Sequence, residues 1–147
     1  MNQDKSQKHE LSENQAPTGT VTFLFTDVQD STRLWEKYPA AMGLALQRHD
    51  EIIELLAEQH HGYVVRPRGE GDSRFVAFER AIDGMKAAAE IQQSLYAEAW
   101  PEEISLQVRI GLHTGEGEYR DGDYYGTAVN RCARLRGLAS GGQVLLS

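Results

Sequence analysis

Thr20 to Thr32, TVTFLFTDVQDST, begins as a strand and ends as a turn. Val21, Phe23 and Phe25 alternate with Thr22, Leu24 and Thr26. All six are β-branched, aromatic or aliphatic, which suits a strand buried on at least one face. Asp27 stands where the strand runs out, and Asp30, Ser31 and Thr32 follow. Ser31 or Thr32 is the expected N-cap of a helix that opens with Arg33-Leu34-Trp35-Glu36. A carboxylate at the tip of a buried strand can meet a hard cation, and the N–H groups of a strand-to-helix turn can meet phosphate. The simpler use of Asp27 is to cap the turn, and this stretch alone does not separate the two.

Upstream, residues 1–18 are polar and lack apolar periodicity. They read as a disordered tail or linker, so the folded domain is expected to span 19–147. Downstream, Ser31 to about Glu58 reads as helix with a break near Pro39. Leu34, Trp35 and Tyr38 form a first apolar face, and Leu44, Leu46, Ile52, Ile53, Leu55 and Leu56 then recur at helical spacing. His49 lies on this helix and His60 and His61 at its end, with Gly62 the expected terminator. Solvated surface histidines are the favoured reading of the three, ahead of a metal site.

Tyr63-Val64-Val65, the glycine-bearing tip RPRGEGD (Arg66 to Asp72) and RFVAF (Arg74 to Phe78) read as a hairpin. Ala81 to Trp100 reads as a second helix, burying Ile82, Met85, Ala88, Ala89, Ile91, Gln92, Leu95 and Tyr96, with Pro101 as its stop. Leu106 to His113 alternates as a strand, and Thr114 to Gly122 follows as a loop or hairpin. Tyr124 to Gly137 is a turn then a helix, and Gln143 to Leu146 opens another strand. The order β-α-β-β-α-β-α-β predicts an α+β, ferredoxin-like (split βαβ) palm-type sheet with helices on one face. The chain ends on a fresh apolar strand with no cap, so further C-terminal strands are expected to be missing.

With 147 residues and 40% hydrophobic content, one domain with a real core is expected. A formal net charge of −7 argues against nucleic acid or an anionic membrane as partner. It suits a site that takes in Mg²⁺ before a polyphosphate. The single cysteine, Cys132, excludes an internal disulfide and reads as a small packing residue. With no membrane-length apolar run and no hydrophobic signal core, a cytoplasmic protein is the default.

In a split βαβ sheet strand one lies beside strand three, so Asp27 and Asp72 are expected to converge. Two carboxylates facing a polyphosphate can hold one or two divalent ions. Taken alone, Asp72 is an ordinary turn aspartate beside glycine. In DYYGTAVNRCAR, Asn130 and Arg134 are four apart and share a helix face. An amide and a guanidinium there can grip a sugar oxygen and a phosphate, or simply form a solvated face.

Three stretches, TVTFLFTDVQDSTRLWE, GEGDSRFVAF and VRIGLHTGEGEYRDGDYYGTAVNRCARLRGLASGGQVLLS, together resemble the catalytic domain of class III adenylate/guanylate cyclases of bacterial type. The resemblance covers about residues 19–147 and implies a function: ATP to 3′,5′-cyclic AMP and pyrophosphate in cyclic-nucleotide signalling. It matches Asp27 and Asp72 to the metal-binding aspartates, which would hold two Mg²⁺ or Mn²⁺ ions. Phe25, Val28, Ser31 and Thr32 fall in the strand and loop that wrap the triphosphate. Asp123 matches the position that selects adenine over guanine, Asn130 the ribose-orienting residue, and Arg134 the residue that stabilises the phosphate transition state. The implied assembly is a head-to-tail homodimer, each site taking its metal aspartates from one chain and its base, Asn and Arg contacts from the other. Fused signalling domains are common company for such domains.

Two features depart from the pattern. Arg68, four residues before Asp72, stands where the family places a base-reading lysine. The further phosphate-gripping lysine of the family would lie beyond Ser147, and Arg120 is the candidate substitute. The alternative function is therefore a catalytically weak or inactive cyclase-homology domain that binds nucleotide or dimerises to regulate an attached domain.

Overall fold

The computed structural model of the chain describes residues 16–65 and 71–147. The first strand, β1 (Gly19–Val28), lies between two partners. On one side it pairs antiparallel with β3 (Arg74–Phe78), which pairs in turn with β2 (Tyr63–Val65). On the other it pairs along its whole length with β4 (Val108–Arg120), from Gly19 opposite Gly117 to Val28 opposite Val108. The order β2-β3-β1-β4 is the antiparallel sheet expected of a split βαβ fold. Beyond β1, β4 continues and folds back as β5 (Asp123–Tyr125), while β6 (Val144–Leu146) pairs parallel with its near end. The stretch read as a loop or hairpin is thus mostly strand, turning at Asp121 (φ 53°) and Gly122 (φ 82°). Both central residues take the left-handed backbone that suits a two-residue hairpin.

Alternation along β1 divides its side chains between two faces. Leu24 and Val28, with Val76, Phe78, Ile110 and Leu112, pack beneath α2 (Pro39–Gln59) and α3 (Ala81–Ala97). Val21, Phe23 and Phe25, with Phe75 and Tyr124, pack beneath α4 (Thr127–Leu138) through Ala128, Val129 and Cys132. α2 and α3 share one face as expected, and α4 is the exception, covering part of the other. The short α1 (Ser31–Lys37) is separated from α2 at Tyr38. A residue before proline is pushed out of the helical region, and Pro39 then suits the first turn of α2.

Several expected details differ. The N-cap of α1 is Asp30, in left-handed backbone (φ 57°) and without a side-chain cap, rather than Ser31 or Thr32. The turn closes one residue early, with Leu34 N–H donating to the Asp30 carbonyl. At the end of α2 it is His61 (φ 64°), not Gly62, that turns left-handed. Gly62 serves close approach instead: a Cβ there would sit 2.7 Å from Phe78 and Val76 and 2.8 Å from the Ala57 carbonyl.

The buried stripes of the helices are also narrower than their apolar content. Leu44 and Leu55 on α2, and Ile82, Met85 and Tyr96 on α3, are exposed, as is Ala89. α3 approaches the sheet through Gly84, Ala87, Ala88, Ile91 and Leu95. Small residues bring the helix axis close, and flanking positions are then lifted clear. His49 is fully buried, not solvated, because it falls in the stripe of Met42, Ala45, Ile52 and Ile53. Among the described residues, no three His, Cys, Asp or Glu side chains gather as a metal site.

α4 docks on β4 at Gly111, where a Cβ would meet the Arg136 backbone nitrogen at 2.6 Å. Backbone cannot swing aside as a side chain can, so Gly111→Ala should cost about 1–3 kcal/mol in urea unfolding. Gly137 has open space around it. There Gly→Ala should add about 0.5–1 kcal/mol through helix propensity. Cys132 is buried, its thiol donating to the carbonyls of Phe23 (3.2 Å) and Gly111 (3.3 Å), and burial pushes its pKa up to about 12. It should resist alkylation at pH 8 in the folded protein and react on unfolding, as mass spectrometry would show.

Candidate active site

Asp27 is the last residue of β1 to face the α4 side of the sheet. The β1–β4 register sets it opposite Arg109, on the same face. Arg109 grips it with both arms, Nε to Oδ1 at 2.7 Å and one terminal nitrogen to Oδ2 at 2.8 Å. Arg136, from α4, adds its Nε at 3.4 Å from Oδ2. The Arg136 guanidinium lies 5.4 Å from the centre of the Phe25 ring and donates to Ser73 Oγ at 3.1 Å. The Asp27 side chain is only 14% exposed, so it is a nearly enclosed carboxylate held by two cations. The hydrogen bond to Asp27 is the main cause of a raised Arg109 pKa; burial opposes it, and the charges of Asp27, Asp30 and Asp72 support it.

Asp72 arrives from the start of β3. Its Oδ2 accepts from Val28 N–H at 3.3 Å, one residue beyond Asp27. Both aspartates thus stand at the end of β1, Asp72 held to the main chain one residue beyond Asp27. Their donor set, two hard carboxylates from one chain, fits a cation such as Mg²⁺ that takes its remaining ligands from water and substrate phosphates. Between them lies backbone: the side chains of Phe25 and Val28 are buried, Phe25 stacked on Phe75 at 4.0 Å. Any contact those two residues make with a polyphosphate must be through main chain. Ser31 is half-buried at the start of α1 and Thr32 is exposed.

The remaining candidates do not join this cluster. Asn130 and Arg134 are exposed on α4, on the side opposite its buried Ala128, Val129 and Cys132. Asp123 is half-buried at the start of β5, its Oδ1 accepting from Tyr124 N–H at 2.8 Å. Arg120, paired in register with Asp123, lies over the Tyr125 ring at 4.5 Å. Arg68 lies outside the described residues. A shallow polar pocket of about 250 Å³ beside α1, lined by Arg33, Lys37, Glu103 and Gln107 among others, includes neither Asp27 nor Asp72.

Arg109 and Arg136 are the site residues that the sequence reading missed. Arg109 had a local signal, a charge inside the alternating strand VRIGLH. Arg136 had none: its link to Asp27 is a helix docking across the sheet.

Residues 13–147 match the family described as the adenylate and guanylate cyclase catalytic domain. An uncharacterised protein of Mycobacterium tuberculosis is 44% identical over 131 residues, covering 89% of this chain and 44% of the relative. The chain thus spans less than half of that relative's length. The adenylate cyclase of Lachancea kluyveri is 35% identical over 156 residues, covering 89% of this chain and 8% of that protein. Among solved structures, an adenylate cyclase from Trypanosoma brucei in its monomeric state superposes with a TM-score of 0.84 at 27% identity, covering 92% of this chain and 76% of that one. An adenylate/guanylate cyclase/hydrolase from Silicibacter pomeroyi gives 0.73 at 29% identity, covering 90% and 77%.

Removing the Asp27 carboxylate leaves two half-buried guanidinia facing each other. Asp27→Ala should lower stability by about 1–2 kcal/mol in metal-free urea titration, a buried-pair penalty discounted for solvent access. Asp72→Ala loses one long hydrogen bond and should cost less than about 1 kcal/mol in the same titration.

Proposed function

The chain belongs to the adenylate and guanylate cyclase catalytic domain family, and from that premise we propose that it is an adenylate cyclase domain converting ATP to 3′,5′-cyclic AMP and pyrophosphate. The observation that carries this is the convergence of Asp27 and Asp72 at the end of β1, apart from an Asn130/Arg134 pair exposed on α4. In the reaction the ribose 3′-oxygen attacks the α-phosphorus, its proton passing to solvent. The bond from that phosphorus to the α,β-bridging oxygen breaks, and pyrophosphate leaves with the electron pair. Asp27 and Asp72 would hold Mg²⁺ or Mn²⁺, which supplies a lowered pKa for the attacking hydroxyl and neutralises developing charge. With a cation held there, Arg109 and Arg136 would be placed to offer N–H groups to phosphate oxygens. Backbone N–H groups from Asp30 to Thr32, at the opening of α1, would meet the triphosphate.

Asn130 orients the ribose and Arg134 meets the charge that grows on the α-phosphate. Because both sit on the outer side of α4, they serve the carboxylates of a second chain in a head-to-tail homodimer. Asp123 accepts from the adenine amino group and repels the guanine carbonyl, which favours ATP over GTP. Fungal relatives known as adenylate cyclases support the same substrate. One observation favours the weaker alternative, a regulatory cyclase-homology domain: Asp27 is already engaged by two arginines.

Purified protein with ATP and Mn²⁺ should form cyclic AMP, with a rate rising more steeply than linearly in protein concentration. Asp27→Ala and Arg134→Ala should each be inactive alone. Mixed in equal amounts they should recover about a quarter of the wild-type rate, since half the dimers then carry one intact site. Absence of recovery from two folded variants would exclude sites shared between chains. Absence of product from folded wild type would leave the regulatory reading.

A further inference from the structure

Arg74 is a charge where the fold calls for an apolar side chain. It alternates with Val76 and Phe78 on the face beneath α2 and α3, and it is 7% exposed. Its partner is Asp50, from the middle of α2, whose Oδ2 meets the terminal nitrogen Nη2. The other terminal nitrogen, Nη1, donates to two carbonyls, Ser73 at 2.9 Å and Gly71 at 3.3 Å. Those residues stand immediately before and after Asp72. Arg74 N–H donates to Thr26 Oγ1 at 3.2 Å, tying the same point to the residue before Asp27. Behind Asp50, the fully buried His49 places Nδ1 2.9 Å from Oδ1.

We propose that Asp50 and Arg74 are positioning residues that fix the backbone on both sides of Asp72, and so set where its carboxylate meets the cation. This rests on the reading of Asp27 and Asp72 as a divalent-metal site. Stability alone does not account for the arrangement. A buried ion pair is often matched or bettered by apolar residues of similar volume. This one is also incompletely satisfied, with Arg74 Nε and His49 Nε2 buried and unpartnered among the described residues. What an apolar residue cannot supply is a planar fork that holds a carboxylate on one arm and two carbonyls on the other. The segment gripped is the entry to β3, and its anchor is α2, a 21-residue helix held to the core through Met42, Ala45, Ile52 and Ile53. Outer partners of metal-ligating groups commonly set affinity in this way, and their loss costs about 10–100-fold.

The test is binding of the Mn²⁺ complex of α,β-methylene-ATP, read by the enhancement of water-proton relaxation over that of the Mn²⁺–nucleotide complex alone, on wild type, Asp27→Ala, Arg74→Leu, Arg74→Lys, Asp50→Asn and the double variant Arg74→Leu with Asp50→Leu. Wild type should bind and Asp27→Ala should not. Arg74→Leu and Asp50→Asn should bind Mn²⁺ about tenfold more weakly. Arg74→Leu alone strands the Asp50 carboxylate and should lower the thermal midpoint. Arg74→Leu combined with Asp50→Leu replaces the pair as a whole and should keep or raise the midpoint while still binding about tenfold more weakly. Arg74→Lys should bind between Arg74→Leu and wild type. Asp50→Asn preserves shape and serves should Arg74→Leu not fold. Weakened metal binding by the double variant at unchanged thermal stability supports the inference, because a merely structural role would move the two together. Binding within twofold of wild type in both Arg74→Leu and Asp50→Asn, with Asp27→Ala still defective, overturns the inference alone. Equal binding by wild type and Asp27→Ala overturns the metal site itself, and the clamp with it.

Discussion

The register between β1 and β4 is the constraint on which the rest depends. Ten consecutive residues of β1 are paired, and each pairing assigns a side chain to one face or the other. A slip of one residue would turn Leu24 and Val28 out of the α2–α3 core. The same slip would carry Asp27 away from Arg109 and beneath the helices, a buried charge without a partner. Core and site are therefore specified together by one pattern of alternation. The register also brings Gly111 opposite Phe25, where the absence of a side chain lets α4 settle against β4 and deliver Arg136.

The arrangement separates two kinds of surface on one helix. The inner side of α4 carries Ala128, Val129 and Cys132 into the core, and Arg136 reaches from it to Asp27. The outer side carries Asn130 and Arg134 into solvent. A helix about 10 Å across cannot present both sets to one point. Under the proposed function this geometry makes a second chain a requirement of the chemistry, since one chain offers carboxylates in one place and the Asn/Arg pair in another.

What was legible in the sequence was what local pattern encodes. The alternation in TVTFLF and VRIGLH, the hairpin around GEGD and the helical spacing after Ser31 determine a split βαβ sheet, and the sheet order then forces Asp27 and Asp72 together. Partners chosen across the fold were not legible. Nothing near Asp27 in sequence names Arg109 or Arg136, and nothing near Arg74 names Asp50. Helix stripes were overestimated because apolarity marks what can be buried, while backbone approach through Gly84, Ala87 and Ala88 decides what is. His49 was misjudged by its type, although its spacing from Met42, Ala45, Ile52 and Ile53 carried the better signal.

Charge exchange links the resting site to its proposed use. A carboxylate left 14% exposed and unpaired would be costly, so the fold supplies Arg109 and Arg136 as counterions. Under the proposed function a metal-bound triphosphate would bring both a cation for Asp27 and anionic oxygens for the two arginines. Each group then trades one opposite charge for another, and none is stranded at any stage. A bare cation would displace the arginines without offering them a partner, and a bare triphosphate would meet two carboxylates. Under the proposed function, metal and nucleotide would therefore be favoured as one complex over either alone. The overall charge of −7 works in the same direction, because it repels free polyphosphate more strongly than the metal-neutralised form.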